Sequence, residues 1–198
     1  MISIPFSSAA ERNRQVILDR LRDLFPAKGT VLEIGSGTGQ HAVFFTQNLP
    51  GLVWQPSDRK ENHAGLEARF SVEVDERILT PLELDVILDP WPECSYEAVY
   101  SANTAHIMPW QAVIAMFAGV GAHLLTRGRF CLYGPFNIDN CYTSDSNAAF
   151  DSSLRAQDPQ MGIRDMAAIV SLAEHNHMQL EHKFAMPANN FILVFNKS

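Results

Sequence analysis

Apolar residues recur along this chain with two spacings, one typical of helices and one typical of strands. Ile17, Leu21, Leu24 and Phe25 lie at i, i+4, i+7 and i+8, which predicts an amphipathic helix over residues 9–25. The predicted strands begin at Val31 and lie near 52–57, 79–84, 96–102 and 127–134, and the predicted helices lie near 39–49, 60–76 and 109–125. This alternation is typical of a parallel sheet whose strands are joined by crossover helices.

The last part of the chain departs from that alternation. A predicted helix over 165–177 leads to two apolar runs, 180–186 and 191–195, and the short connection between them permits only antiparallel pairing. We therefore expect an α/β fold whose mostly parallel sheet ends in a C-terminal antiparallel hairpin. The one long irregular stretch is 134–164, and loops of that length are usually functional covers or disordered. We predict that it covers a substrate site together with residues 1–13.

Three alternating glycines follow the first strand. Residues 31–41 are Val-Leu-Glu-Ile-Gly-Ser-Gly-Thr-Gly-Gln-His. Glycine lets the backbone turn tightly at the strand end and approach a ligand closely. The dinucleotide fingerprint G-x-G-x-x-G would need a glycine where this chain has Gln40. Glu33, inside the strand end, favours a cationic ligand over a pyrophosphate, and S-adenosylmethionine carries both an ammonium and a sulfonium.

Two further acidic residues end the next predicted strands. Asp58 lies about twenty residues after the glycine turn, where a ribose-binding acid belongs. Its carboxylate can accept hydrogen bonds from both ribose hydroxyls, a need that nicotinamide and adenosylmethionine cofactors share. Leu84-Asp85-Val86 ends the third run, and an acid beside aliphatic residues suits the amino group and ring of adenine. Together these acids predict an adenosine-containing ligand.

At these positions the chain resembles the class I S-adenosylmethionine-dependent methyltransferases. Its opening Ser8-Ala9-Ala10-Glu11-Arg12-Asn13, its Asn103-x-x-His106-Ile107-x-Pro109-Trp110 and its Tyr133-Gly134-Pro135-Phe136 resemble, more narrowly, a small family of uncharacterised methyltransferase-like proteins of bacteria and animals. The resemblance implies a seven-stranded Rossmann-like sheet, S-adenosylmethionine as cofactor and S-adenosylhomocysteine as product. The cofactor-binding residues that it implies are Glu33, Gly35, Ser36, Gly37, Thr38, Gly39, Asp58, Leu84, Asp85, Val86 and Asn103.

Length and charge narrow the choice of partners. At 198 residues, 46% of them hydrophobic, the chain is expected to form a single domain, 1–198, with 1–29 as an N-terminal helix and cap. A formal charge of −7 without a basic cluster argues against a nucleic-acid partner. No apolar stretch of membrane-spanning length and no leader are evident, so we expect a cytoplasmic protein with no membrane partner. The three cysteines form no C-x-x-C pair and are predicted to be buried thiols.

Candidate residues for the chemistry follow the fourth and fifth strands. His106 is a candidate base and Tyr133 a candidate acceptor-orienting hydroxyl, although a structural histidine bonded to a loop carbonyl is the alternative. Asn103 either holds the methionine end of the cofactor or stabilises a turn. His175 and His177 lie two residues apart in the predicted helix 165–177 and should face different sides of it, so no metal site is predicted.

Further residues are candidates for the substrate pocket. The set comprises Arg12, Asn13, Trp110, Phe136, Arg155 and Arg164. The two late arginines would clamp an anionic substrate. Simpler roles stay open for all of them: core packing for the aromatics, ion pairs with Asp151, Asp158 or Asp165 for the late arginines, and a helix-start salt bridge and cap for Arg12 and Asn13.

The sequence thus predicts a methyltransferase that acts on a small molecule at oxygen or nitrogen. A non-catalytic S-adenosylmethionine-binding or scaffold protein is the main alternative, because fold alone does not establish catalysis. An NAD-dependent oxidoreductase would share the glycine turn and Asp58, but Gln40 and the terminal hairpin count against it. The sequence identifies neither the methyl acceptor nor the oligomeric state.

Overall fold

A computed structural model describes residues 4–198, so the first three residues of the predicted N-terminal cap lie outside the described part of the chain. The chain consists of two compact units, and the boundary between them lies between Tyr100 and Ser101. The helices are α1 (Ser8–Leu24), α2 (Gln40–Asn48), α3 (Lys60–Val72), α4 (Trp110–His123), α5 (Asp145–Gln157) and α6 (Met166–His175). The strands are β1 (Gly29–Ile34), β2 (Leu52–Asp58), β3 (Leu82–Glu83), β4 (Tyr96–Ala102), β5 (Leu124–Gly134), β6 (Phe136–Asn137), β7 (Arg164–Asp165), β8 (Met178–Met186) and β9 (Asn190–Lys197).

Seven of these strands form one sheet in the order β3-β2-β1-β4-β5-β9-β8. In the first unit β1 pairs with β2, and β2 with β3, in parallel. In the second unit β9 pairs antiparallel with both β5 and β8. The α/β class, the mostly parallel seven-stranded sheet and the C-terminal antiparallel hairpin are therefore confirmed.

The third strand and third helix are shorter than the sequence predicts. The strand expected over 79–84 is reduced to β3, and residue 78 makes only an isolated bridge to Trp54. Pro81 lies directly before β3 and has no N–H to donate to a neighbouring strand. The helix expected to run to residue 76 ends at Val72, and the Asp75 side chain accepts from the Arg77 backbone N–H at 3.0 Å, an alternative to helical bonding.

The prediction that residues 134–164 form one long irregular stretch is wrong. This segment contains α5 and a short parallel pairing of β6 with β7. Ser144 caps α5 by accepting a hydrogen bond from Asn147 N–H at 3.1 Å. The buried positions of the helix are Asn147, Asp151 and Leu154, and two of these three are polar. The sequence therefore shows no helical spacing of apolar residues in this segment, although one face of the helix is buried.

Two smaller predictions also need correction. Helix α6 ends at His175, and His177 lies beyond it with a left-handed φ of 59°, so the two histidines do not share a helix. Among the cysteines, Cys131 is buried as predicted, whereas Cys94 and Cys141 are exposed. No helix within residues 4–198 combines the length and the apolar character needed to cross a membrane.

Each unit has its own aromatic core. Phe45, Trp54 and Tyr100 are buried in mutual contact in the first unit, with ring centroids 5.4–6.1 Å apart. In the second unit α4 contributes Phe117, which meets Phe130 of β5 at 5.4 Å. These cores fix the strands whose carboxyl ends carry the candidate site residues.

Candidate functional site

The glycine turn after β1 has the backbone conformation that its sequence requires. Gly35, Gly37 and Gly39 have φ values of 74°, 56° and 73°, a region that other residues adopt at a cost. A Cβ atom on Gly37 would meet no atom within 4 Å, whereas one on Gly39 would lie 3.0 Å from the Phe70 ring. Gly39 thus permits close packing of the turn, and Gly37 presents bare backbone to open space.

Asp58 joins the end of β2 to this turn. Its Oδ2 accepts from the Gly37 N–H at 2.6 Å, and its Oδ1 accepts from the Arg59 N–H and the Asn62 amide at 2.8 and 2.7 Å. These donors hold the carboxylate in one orientation beside the open face of Gly37. Asn62 was not predicted as a site residue, although its position four residues after Asp58 on a helix start was a usable signal.

Glu33 is almost completely buried beneath the turn. One carboxylate oxygen, Oε2, accepts from the Trp54 indole N–H at 2.9 Å and from the Ser36 hydroxyl at 3.0 Å. Burial raises the pKa of Glu33 to about 7, against the lowering effect of these two hydrogen bonds, and the Asp58 charge raises it further. A nearby cation would favour the ionised form, because opposite charges attract strongly in a buried environment.

The N-terminal segment is attached to the same turn. The Ser7 N–H donates to Gln40 Oε1 at 2.6 Å. Arg69, a buried residue of α3, donates from Nε to the Thr38 carbonyl at 2.5 Å and from Nη2 to the Pro5 carbonyl at 2.7 Å. Arg69 was not predicted as a site residue, since its spacing to Glu73, with which it also pairs, is typical of a solvated helix arginine.

The two N-terminal candidates have different positions. Arg12 is exposed, whereas Asn13 is buried and contacts His41, with 2.8 Å between Asn13 Oδ1 and the ring Nε2. The other ring nitrogen of His41, Nδ1, lies 3.2 Å from the Tyr100 hydroxyl. Burial lowers the pKa of His41 to about 4. An Nε2–H tautomer that donates to Asn13 and accepts from Tyr100 satisfies the whole ring.

The predicted adenine segment follows β3. Leu84 and Val86 are buried, with 3% and 9% exposed, while Asp85 between them is half-buried. Asp85 Oδ1 accepts from the backbone N–H groups of Ile87 and Leu88 at 2.9 and 3.3 Å. The side chain therefore also orders the turn that follows the strand.

In the second unit, Asn103 and His106 follow β4. Asn103 has a left-handed φ of 58°, and its N–H donates to the Tyr133 carbonyl at 2.9 Å. His106 is only 5% exposed, and its ring meets the Phe150 ring edge-on at 5.3 Å. Within residues 4–198 the His106 ring nitrogens make no hydrogen bond, although the His106 carbonyl accepts from the Gly162 N–H. Burial, and then the charge of Arg164, lower the pKa of His106 to about 4.

The two late arginines differ in their partners. Arg155 donates from Nε to Asp151 Oδ2 at 2.7 Å. Arg164 donates to the carbonyls of Ala105, at 3.0 Å, of Gln160, at 2.8 Å, and of Met108. Its guanidinium carbon also lies 5.8 Å from the centre of the Trp110 ring. A carboxylate therefore pairs with the first arginine, whereas the hydrogen bonds of the second go to backbone carbonyls.

The remaining candidates lie near these arginines in sequence or in space. Tyr133 and Phe136 are buried, with 3% and 1% exposed, and Trp110 is half-buried at the start of α4. Asn137, on β6, has a buried Oδ1 with no hydrogen-bond partner in the described chain. No group of three His, Cys, Asp or Glu side chains within residues 4–198 is arranged to hold a metal ion.

Solved structures of several methyltransferases share this fold. CalO1, described as a methyltransferase in calicheamicin biosynthesis with SAH bound, superposes with a TM-score of 0.78 at 18% identity, over 96% of this chain and 54% of that one. An O-methyltransferase family protein from Burkholderia thailandensis gives 0.82 at 14% identity, over 96% and 57%. Human N-acetylserotonin methyltransferase in complex with SAM gives 0.81 at 15% identity, over 96% and 53%.

These similarities establish the Rossmann-like methyltransferase fold, and the chain spans about half the length of the solved proteins that it matches. At the level of family, the match extends over almost all of the sequence. Residues 4–197 fit the family described as "Protein of unknown function (DUF938)", and the chain belongs to that family.

Proposed function

We propose that this protein is an S-adenosylmethionine-dependent methyltransferase that methylates a small molecule at oxygen or nitrogen. The observation that carries the proposal is the open backbone of Gly37 beside the fixed carboxylate of Asp58. Bare backbone and an oriented acid at adjoining strand ends are what an adenosine ligand needs. The fold of SAM- and SAH-bound methyltransferases supports the same conclusion.

The residues of the first unit suit this cofactor rather than a pyrophosphate. Asp58 retains acceptor capacity for ribose hydroxyls after its three hydrogen bonds, because a carboxylate offers about four lone-pair sites. Glu33, whose pKa is raised to about 7, would ionise fully under the turn when a cationic ligand binds there. Asp85, between Leu84 and Val86, would hold the adenine. The full set proposed for the cofactor remains Glu33, Gly35, Ser36, Gly37, Thr38, Gly39, Asp58, Leu84, Asp85, Val86 and Asn103.

In the second unit we assign the handling of the acceptor to residues that follow β4 and β5. When bound, S-adenosylmethionine supplies a methyl group on a sulfonium whose departure leaves a neutral thioether. His106 is neutral at pH 7, since its pKa is about 4, and its unengaged ring can accept a proton from an acceptor hydroxyl or amine. The segment 134–164, with Tyr133 before it, would exclude water and orient the acceptor.

Ligand binding tests this proposal directly. S-adenosylmethionine, S-adenosylhomocysteine and NAD should be compared by calorimetry and by thermal unfolding, where a ligand at 100 times its Kd adds about 2.7 kcal/mol of stability. We expect stabilisation by the two adenosyl-sulfur compounds only. Stabilisation by NAD alone would indicate an oxidoreductase. Binding without methyl transfer to any metabolite fraction would indicate a non-catalytic protein, and no binding at all would indicate a scaffold.

A variant at Asp58 locates the site. Asp58→Ala should weaken S-adenosylmethionine binding by about 1.5–3 kcal/mol, because hydrogen bonds to a charged group are lost. Asp19→Ala, which changes an exposed carboxylate of α1, is the matched control and should leave the affinity unchanged. Equal affinities of the two variants would exclude Asp58 from the cofactor site. The single-domain organisation and the cytoplasmic location stay predictions of the sequence.

A further inference from the structure

Arg164 is a cation in a desolvated position without a carboxylate partner. It is half-buried, and burial together with the positive charge of Arg155 lowers the pKa of its guanidinium. All its hydrogen bonds within the described chain go to backbone carbonyls, and none of them uses Nη1. Such an arrangement satisfies donors but leaves a net positive charge that water reaches only in part.

Two carboxylates of the same part of the chain, Asp151 and Asp165, accept hydrogen bonds from other donors. Asp151 is 1% exposed and accepts from the Arg155 guanidinium, from the Tyr142 hydroxyl at 2.8 Å and from the Ile163 N–H at 2.6 Å. Asp165 accepts from the Ala167 N–H at 2.9 Å and the Asn140 N–H at 2.6 Å. Both carboxylates therefore hold parts of the fold together, and neither forms an ion pair with Arg164.

A second observation points to a ligand beside this charge. His106 is only 5% exposed, and its ring nitrogens make no hydrogen bond within residues 4–198. The Arg164 charge acts on that ring, since it contributes to the low pKa of His106. An imidazole without a protein partner can donate to or accept from a bound molecule. Phe150 and Trp110 add aromatic faces next to the two polar groups.

We propose that Arg164 binds a carboxylate of the methyl acceptor, and that the acceptor is a small organic acid methylated at an oxygen or nitrogen outside that carboxylate. The inference rests on the proposed function and names its substrate class. A guanidinium that is desolvated and unneutralised attracts a carboxylate strongly, because charge-assisted hydrogen bonds exceed neutral ones about twofold in strength. Arg155 does not take part, since Asp151 already neutralises it.

The first test compares benzoate with benzamide, which have similar shape and differ in charge. Calorimetric or NMR titration of the intact protein, with S-adenosylhomocysteine present, should show benzoate binding at least tenfold more tightly than benzamide. Equal binding of the two, or no benzoate binding at millimolar concentration, would overturn the proposal. This comparison needs no substitution, so it holds even if a variant at Arg164 fails to fold.

Variants then locate the anion. Arg164→Gln should weaken benzoate binding at least tenfold, whereas Arg127→Gln removes an exposed arginine of β5 and should have no effect. Thermal unfolding of each variant checks that the fold persists. Undiminished benzoate binding in a folded Arg164→Gln protein would place the anion elsewhere and refute the proposal.

A product assay separates this inference from the proposed function. Metabolite fractions are incubated with the enzyme and S-adenosylmethionine labelled in its methyl group, and labelled products are sorted by anion exchange. We expect the label in retained, anionic products that mild base does not cleave. Label only in neutral products, or label released as methanol by base, would refute the Arg164 assignment while leaving methyl transfer established. No label in any product, despite cofactor binding, would instead refute the proposed activity.

Discussion

Two histidines, one in each unit, have a low pKa for the same physical reason and differ in the hydrogen bonds of their rings. Burial lowers the pKa of both His41 and His106 to about 4. Around His41, Asn13 and Tyr100 occupy both ring nitrogens. The His106 ring instead has an edge-on contact with Phe150 and lies in the field of the Arg164 charge.

The comparison teaches that a shifted pKa does not by itself identify a functional group. Desolvation is the largest cause of the shift at both positions, and an arginine charge adds to it at each, Arg14 at His41 and Arg164 at His106. The hydrogen bonds distinguish the two residues. The His41 ring has two partners and links α1 to α2, whereas the His106 ring makes no hydrogen bond within residues 4–198 and is available to a ligand. Substitutions of His41 and His106 should therefore have different effects on turnover and on stability, and a bound anion should change the pKa of His106 only.

The largest expected difference is in turnover. His106→Ala should lower kcat about a thousandfold, as expected when a base is removed, while S-adenosylmethionine affinity stays within twofold. The assay uses the acceptor found in the labelled-product screen. His41→Ala is the matched variant, and its folded fraction should retain most of kcat. Comparable losses of turnover in the two variants would erase the functional distinction.

The pH dependence of stability is the next effect. Each histidine has a folded pKa of about 4 and an unfolded value near 6.5, so the unfolded state binds more protons between these values. Stability therefore falls as pH is lowered from about 6.5 to 4, by roughly 3 kcal/mol for each residue. Urea unfolding across this range should show the loss. His41→Gln and His106→Gln should each flatten the slope, and a slope unchanged in either variant would contradict its low pKa.

A smaller difference is expected in unfolding at pH 7. His41→Ala should cost about 2 kcal/mol more than His106→Ala, because it removes the partner of the buried Asn13 amide oxygen. His106→Ala removes packing only. Urea titration of both variants gives the two free energies, and a larger cost at His106 would mean that its ring has a structural role that the contacts do not account for.

The smallest effect concerns the two rings themselves. Saturating benzoate should raise the pKa of His106 by about one unit, since an anion near Arg164 offsets the positive charge that acts on the ring. The pKa of His41 should not move. NMR titration of the imidazole signals with and without benzoate measures both. A common shift at the two rings would point to a general salt effect instead of a bound anion.

Much of the fold was predictable from the sequence because its strands are apolar and its turns carry glycine. The run from Val31 to Gly39 predicted a strand end and a turn, and the three positive φ values follow from that pattern. Helix α5 was not predictable, since Asn147 and Asp151 fill its buried face through hydrogen bonds that no periodicity reports. The shortness of β3 likewise depends on local contacts near Pro81.

The candidate site divides in the same manner. Glu33 and Asp58 were singled out from spacing, and the structure places their carboxylates under and beside the glycine turn. The roles proposed for Arg155 and Arg164 could not be separated in sequence, because the distinction depends on which arginine reaches Asp151. Arg69 could not be recognised as a site residue, since its local partner Glu73 is typical of a helix surface and its other partners are carbonyls distant in sequence.

The hydrogen bonds of Arg69 have a consequence for exchange with solvent. Its guanidinium holds the carbonyls of Thr38 and Pro5 together, and the Ser7 amide is bound to Gln40 at the start of α2. Residues 5–7 therefore cannot separate from the glycine turn without breaking the hydrogen bonds that also hold the turn, so the two motions are coupled. The deuterium uptake of the Ser7 amide should then slow whenever a ligand occupies the glycine turn, although no ligand atom need contact residues 5–7.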